Sequence, residues 1–122
     1  MPKLDQFIDD NNTVPYEKWE NSLAGADAAR ITKYVKRMGN GNFGNSKPVG
    51  SGVSELKIDF GPGYRVYYGK DGDTLIILLG GGSKKRQSRD IADAIEHWKN
   101  YKKRKREANK QNKTVHNAEK GR

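Results

Sequence analysis

Lys57, Arg65 and Lys84 have the residue types and spacing for phosphate chemistry. Lys57 lies in Glu55-Leu56-Lys57-Ile58-Asp59-Phe60, where charged and apolar residues alternate. A strand with that pattern turns Leu56, Ile58 and Phe60 inward and Glu55, Lys57 and Asp59 outward. Arg65 alternates in the same way with Tyr64, Val66 and Tyr68. The short Gly61-Pro62-Gly63 turn makes the two segments antiparallel neighbours, so Lys57 and Arg65 are expected on one exposed face. Ser83, Lys84, Lys85 and Arg86 then lead into the last helix, whose first N–H groups favour anions. Lysine and arginine donors converging on a sheet suit a phosphodiester, with arginine as the bidentate clamp. The same charges also fit a solvated face on which Lys57 pairs with its acidic neighbours.

Other chemistries are narrowed by composition. The chain has no cysteine, which excludes disulfides, thiolate metal sites and thiol nucleophiles. His97 and His116 have no metal-ligand spacing, and His97, beside Trp98, reads as a packing or surface residue. No metal or cofactor is expected. Gly39-Asn40-Gly41-Asn42-Phe43-Gly44 fits G-x-G-x-x-G, but it follows a helical pattern and leads into a strand, the reverse of a dinucleotide site. The longest aliphatic run, Leu75 to Leu79, is five residues, and residues 1–20 lack an apolar signal core, so a cytoplasmic protein is expected.

The net charge of +9 over 122 residues is uneven. Residues 99–122 hold ten basic groups against two acidic ones, a net of +8, and residues 1–98 are nearly neutral. This divides the chain into a folded unit over residues 1–101 and a basic segment over 102–122, disordered or extending the last helix. Lys102, Lys103, Arg104, Lys105 and Arg106 are its densest cations and suit a polyanion.

These residues must be positioned by few elements. Lys3–Asp10 reads as an edge strand. Thr13 as N-cap, Pro15 in the first turn and Tyr16, Trp19 and Leu23 on one face predict a short helix. Asp27 as cap and Ala28, Ile31, Val35 and Met38 predict a second, completing a helical hairpin. Gly39 to Gly52 reads as loop, and three antiparallel strands follow, the third ending at the Gly80-Gly81-Gly82 break. Ser88 caps a last helix with a stripe of Ile91, Ala94, Ile95, Trp98 and Tyr101. The expected fold is therefore α+β, an N-terminal helical hairpin packed on an antiparallel β-meander with a C-terminal helix.

Three segments together carry a resemblance: Gly50-Ser51-Gly52-Val53-Ser54-Glu55-Leu56-Lys57-Ile58, Gly61-Pro62-Gly63-Tyr64-Arg65-Val66-Tyr67-Tyr68 and Leu78-Leu79-Gly80-Gly81-Gly82-Ser83-Lys84. The sequence resembles the RelE/ParE superfamily of type II toxins, in the branch of addiction-module killer proteins (HigB-like), over about residues 5–100. The resemblance implies a co-encoded antitoxin, often a helix-turn-helix protein. It also implies either a ribosome-dependent mRNA endoribonuclease (an mRNA interferase that stops translation) or a ParE-like gyrase poison with no nuclease activity. A non-toxic nucleic-acid-binding module is a third reading. By the resemblance, Arg65 takes the place of an arginine that grips the scissile phosphate, and Lys57 that of one of two sheet lysines. Lys84, or Lys85 by a one-residue shift, takes that of a second arginine. Glu55 stands where the companion lysine is expected. For a nuclease, Lys57 is the candidate base for the RNA 2′-OH, and the leaving-group acid is open among Tyr68, Lys84 and His97. Tyr68, Lys85, Arg86 and the cations at 102–106 are the expected RNA contacts, with mRNA and the ribosome as partners.

Overall fold

The computed structural model of the chain describes residues 2–120, with side chains as far as residue 110. His116 and the end of the basic segment therefore lie outside the described side chains. The elements in order are β1 (Lys3–Gln6), α1 (Pro15–Asn21), α2 (Gly25–Gly39), β2 (Ser46–Gly50), β3 (Val53–Ile58), β4 (Tyr64–Asp71), β5 (Leu75–Gly82), a 3-10 turn (Lys84–Arg86) and α3 (Gln87–Lys120). The strands form one five-stranded sheet in the order β1-β5-β4-β3-β2.

This corrects the expected fold in two respects. The helices are not an N-terminal hairpin, because β1 precedes them; and the sheet is mixed rather than a meander, because β1 runs parallel to β5. The reason is long-range pairing. Lys3 to Gln6 take register with Leu75 to Leu78, some seventy residues away, and nothing within a four-residue strand encodes that direction. A third correction concerns residues 39–52. Only the first part is loop, and Ser46–Gly50 pairs antiparallel with β3. Pro48 is accommodated because β2 is an edge strand, where a missing N–H need not break the ladder.

The sheet separates two apolar clusters. On one face Ile31, Val35 and Met38 of α2 pack against Leu56, Ile58, Val66, Tyr68, Ile76 and Leu78. On the other, Ala94 and Trp98 of α3 cover Phe7, Val53, Tyr67, Ile77 and Leu79. β5 is thus buried on both sides, as its unbroken aliphatic run predicts. Trp98 seats closely because the sheet presents glycines to it; a Cβ at Gly69 would lie 2.6 Å from the indole and one at Gly52 2.8 Å from it. Gly52 has φ +86 in the β2–β3 turn, a second reason for glycine there.

Helix starts differ from the sequence reading. Val14 and Ala24 are the N-caps of α1 and α2, with no side-chain cap bond. Asp27 instead accepts a hydrogen bond from the Tyr64 hydroxyl at 2.7 Å, tying α2 to the sheet. Gly80 to Gly82 do not end β5; they continue it opposite Tyr67, Val66 and Arg65 of β4. Their missing side chains make room for helical ones, since a Cβ at Gly81 would overlap Trp19 and one at Gly82 would overlap Asp90.

Candidate functional site

Antiparallel pairing of β3 and β4 sets Lys57 directly opposite Arg65, and Arg65 is in turn opposite Gly82, two residues before Lys84. The three cations of the sequence reading therefore lie along one end of the sheet. Their exposure differs sharply. The Lys57 side chain is 45% exposed and sits 3.7 Å from the Asp59 carboxylate. Arg65, by contrast, is buried, which corrects the exposed clamp expected from alternation. The face opposite Leu56 and Ile58 is covered by the start of α3, so pointing away from one core places Arg65 in another.

Beneath α3, Arg65 is part of a polar cluster. Its Nε lies 3.5 Å from Glu55 Oε1, and Glu55 is 1% exposed. Glu55 Oε2 accepts a hydrogen bond from the Gln87 amide at 2.9 Å, fastening the first turn of α3 to β3. Arg65 Nη1 donates to the Gly63 carbonyl at 2.7 Å, holding the β3–β4 turn. Among the described residues, Arg65 Nε and the Tyr67 hydroxyl are buried without a hydrogen-bond partner of proper geometry. Burial, then the nearby Glu55 charge, pushes the Tyr67 pKa up. The guanidinium is thus held between the Glu55 carboxylate and the Gly63 carbonyl. Glu55 neutralises it and Gly63 occupies one of its donors.

The exposed cations gather beyond the sheet end. Lys84, Lys85, Arg86, Gln87, Ser88 and Arg89 line an open hollow of about 450 Å³. Lys84 Cβ and Arg65 Nη1 both approach Gly63, at 3.8 and 3.5 Å from where its Cβ would stand, so the hollow adjoins the buried cluster. Tyr68 is not with them. It faces the α2 side, 2% exposed, with its ring stacked on Phe43 at 6.0 Å, and is unavailable to RNA.

Two cations of the basic segment are tied to the body. Arg104 donates to the Ile8 carbonyl at 2.5 Å and to Asp10 at 2.6 Å, and Lys105 contacts both Asp71 oxygens at 2.5 and 2.6 Å. Tyr101 also donates to Asp71, at 2.6 Å, and hydrogen bonding by Lys105 and then Tyr101 holds the Asp71 carboxyl below its ordinary pKa. Lys102, Lys103 and Arg106 are exposed on α3, and Lys102 lies 5.8 Å above the Trp98 ring.

A second concavity was not legible in the sequence. Between the loop before α1, α1 itself and α3 lies a cleft of about 390 Å³ lined by Asp9, Trp19, Arg86, Asp90 and His97 among others. A smaller recess of about 90 Å³ shares Pro15, Gly81, Asp90 and His97 with it. Burial raises the Asp90 pKa, opposed by Arg86 and Arg89 and reinforced by Asp93. Burial lowers the His97 pKa, opposed by Asp93, Asp9 and Glu96. The His97 ring lies against Phe7 at 4.9 Å. The one local signal was the glycine triplet, which marks close approach by other groups.

No family model matches the chain. An uncharacterized protein of Haemophilus influenzae is 43% identical over 83 residues, covering 67% of this chain and 84% of that protein. The chain belongs to that protein's family. At this identity the two share a fold, and the aligned length leaves about a third of the present chain without a counterpart in the match. Among the described residues no helix is long and apolar enough to cross a membrane. No group of three or more His, Asp or Glu side chains among them is arranged to hold a metal ion.

Proposed function

We propose that the protein is the toxin of a type II toxin–antitoxin pair, of the RelE/ParE kind that its sequence resembles. In this reading it acts in the cytoplasm as a ribosome-dependent mRNA endoribonuclease and is held inactive by a co-encoded helix-turn-helix antitoxin. The observation that carries the reading is the hollow at residues 84–89, where Lys84, Lys85, Arg86 and Arg89 converge on an open surface beside Lys57's end of the sheet. Four cations on one rim suit successive phosphates of a single strand. Lys57 and Lys84 are the exposed groups able to stabilise a developing phosphorane charge. Arg65 supports them by holding the Gly63 turn. The ribosome supplies the attack geometry that an open hollow cannot impose. Cleavage by the RNA 2′-OH leaves a 2′,3′-cyclic phosphate and a 5′-hydroxyl.

The burial of Arg65 against Glu55 favours a second reading, a gyrase poison that needs no phosphate clamp. Induced expression separates the two. The nuclease reading expects growth arrest, codon-phased mRNA cuts with 5′-hydroxyl ends, and loss of both in a Lys84→Ala, Lys85→Ala, Arg86→Ala triple variant that remains folded. Gyrase-linked DNA breaks without mRNA cuts would establish the poison instead. Normal growth without either lesion would leave a binding module and sink the toxin assignment.

A further inference from the structure

The cleft between α1 and α3 combines features that the toxin reading does not use. Gly81 lies at its base under the Trp19 indole, Gly80 lines the smaller recess that adjoins it, and pairing of β1 with β5 ends at Leu78, before both. Its wall carries the Trp19 indole, which is half-buried and braced edge-on against Tyr64 at 6.0 Å. Its inner end carries Asp90 and His97, and its mouth Lys18 and Arg86.

We propose that this cleft binds one nucleotide unit of an RNA strand, with the base beside Trp19 and the phosphate at Arg86 and Lys18. The inference rests on the RNA-directed reading above and deepens it. Continuity is the first support: Arg86 lines both this cleft and the cationic hollow, so a strand whose phosphates follow residues 84–89 passes the cleft mouth. Size is the second, because about 390 Å³ falls in the range of roughly 300–1,000 Å³ typical of small-ligand sites. Polarity is the third. Asp90 and His97 bring a carboxyl group and an imidazole to the inner end, both able to hydrogen-bond the edge of a base. A carboxyl group there suits the N–H edge of a base better than it suits a phosphate. An unstacked base gains from an aromatic wall whatever its sequence, and hydrogen bonds at its edge then discriminate.

The test titrates the full chain with the four nucleoside 5′-monophosphates, with ribose 5-phosphate and with a short oligoribonucleotide, followed by amide NMR shifts. At least one monophosphate should shift Gly80, Gly81 and His97 and should bind at least about fivefold more tightly than ribose 5-phosphate, the increment expected of base stacking. His97→Gln should weaken that monophosphate while leaving ribose 5-phosphate unchanged, and Arg86→Ala should weaken both. Trp19→Phe, which keeps an aromatic wall, controls for loss of packing and should retain binding. Equal binding of ribose 5-phosphate would overturn the proposal, because it would show a phosphate site without base recognition. If the oligoribonucleotide shifts residues 84–89 but not Gly80, Gly81 or His97, the cleft proposal fails and the RNA reading survives. If it shifts neither region, both fail.

Discussion

The two faces of the sheet are built from the same strands and differ in what they bury. Under α2 the contacts of Ile31, Val35 and Met38 with Leu56, Ile58 and Val66 are apolar throughout. Under α3 the aliphatic contacts of Ala94 and Trp98 adjoin Glu55, Arg65, Tyr67 and Gln87. Both faces exclude water, but only the second buries an ion pair among the described residues. The α2 face therefore derives its stability from area and fit. The α3 face is orientation-specific, because a buried ion pair and an amide bond must be aligned for the start of α3 to seat. That start also delivers the cations of residues 84–89. The polar face thus sets where the candidate RNA surface lies, and the apolar face keeps the sheet on which it is built.

The comparison is broken most severely at Arg65. Arg65→Ala leaves Glu55 buried without its cation and should cost about 3–5 kcal/mol in urea unfolding. Replacing both members with apolar residues of similar volume should restore most of that loss, and a double variant as unstable as the single would refute the ion-pair account. Gly69→Ala comes next, at about 1–3 kcal/mol, since its Cβ would press on Trp98 at 2.6 Å and lift α3. On the apolar face, Ile58→Val should cost about 0.5–1.5 kcal/mol in the same assay with no change in RNA binding. Lys105→Ala should cost up to about 1 kcal/mol at pH 7. Because the Asp71 pKa is lowered by Lys105 and Tyr101, that contribution is intact above the ordinary carboxyl pKa of about 3.9. It should disappear as pH falls through the lowered value.

The smallest effect is the titration of His97. Burial holds its folded pKa below the ordinary value of about 6.5, so the unfolded chain takes the proton first. Stability should be unaffected above that pH, decline as pH falls below it, and level off beneath the folded pKa. Thermal unfolding of His97→Gln from pH 8 to 5 should lack this component. A wild-type curve with the same slope as the variant would show that His97 is solvated rather than lining a cleft.

Period-two alternation was sufficient to identify β3 and β4 and to put Lys57 and Arg65 on one face, where they are directly paired, though Arg65 is buried there. The aliphatic run at 75–79 likewise predicted a strand covered on both sides. Three features were less legible. β1 lacks a clear alternating pattern, and its direction is set by a partner far along the chain. β2 contains Pro48 and glycines, which locally signal loop, and becomes a strand because β3 offers an edge. Asp90 carries no motif; its position against Gly82 exists only once α3 has crossed β5.

Local patterning by itself determined the strands at the centre of the sheet, the apolar stripe of α3 and the concentration of cations after β5, since these depend on neighbours within a few residues. Tertiary structure alone decided which cations remain in water. Arg65 and Lys57 occupy paired positions on one sheet face, yet Gln87 and the first turn of α3 close over Glu55 and Arg65 and stop short of Lys57. Burial is a property of what packs above a residue. That covering element lies some twenty residues away, outside the range of any pattern in the strand.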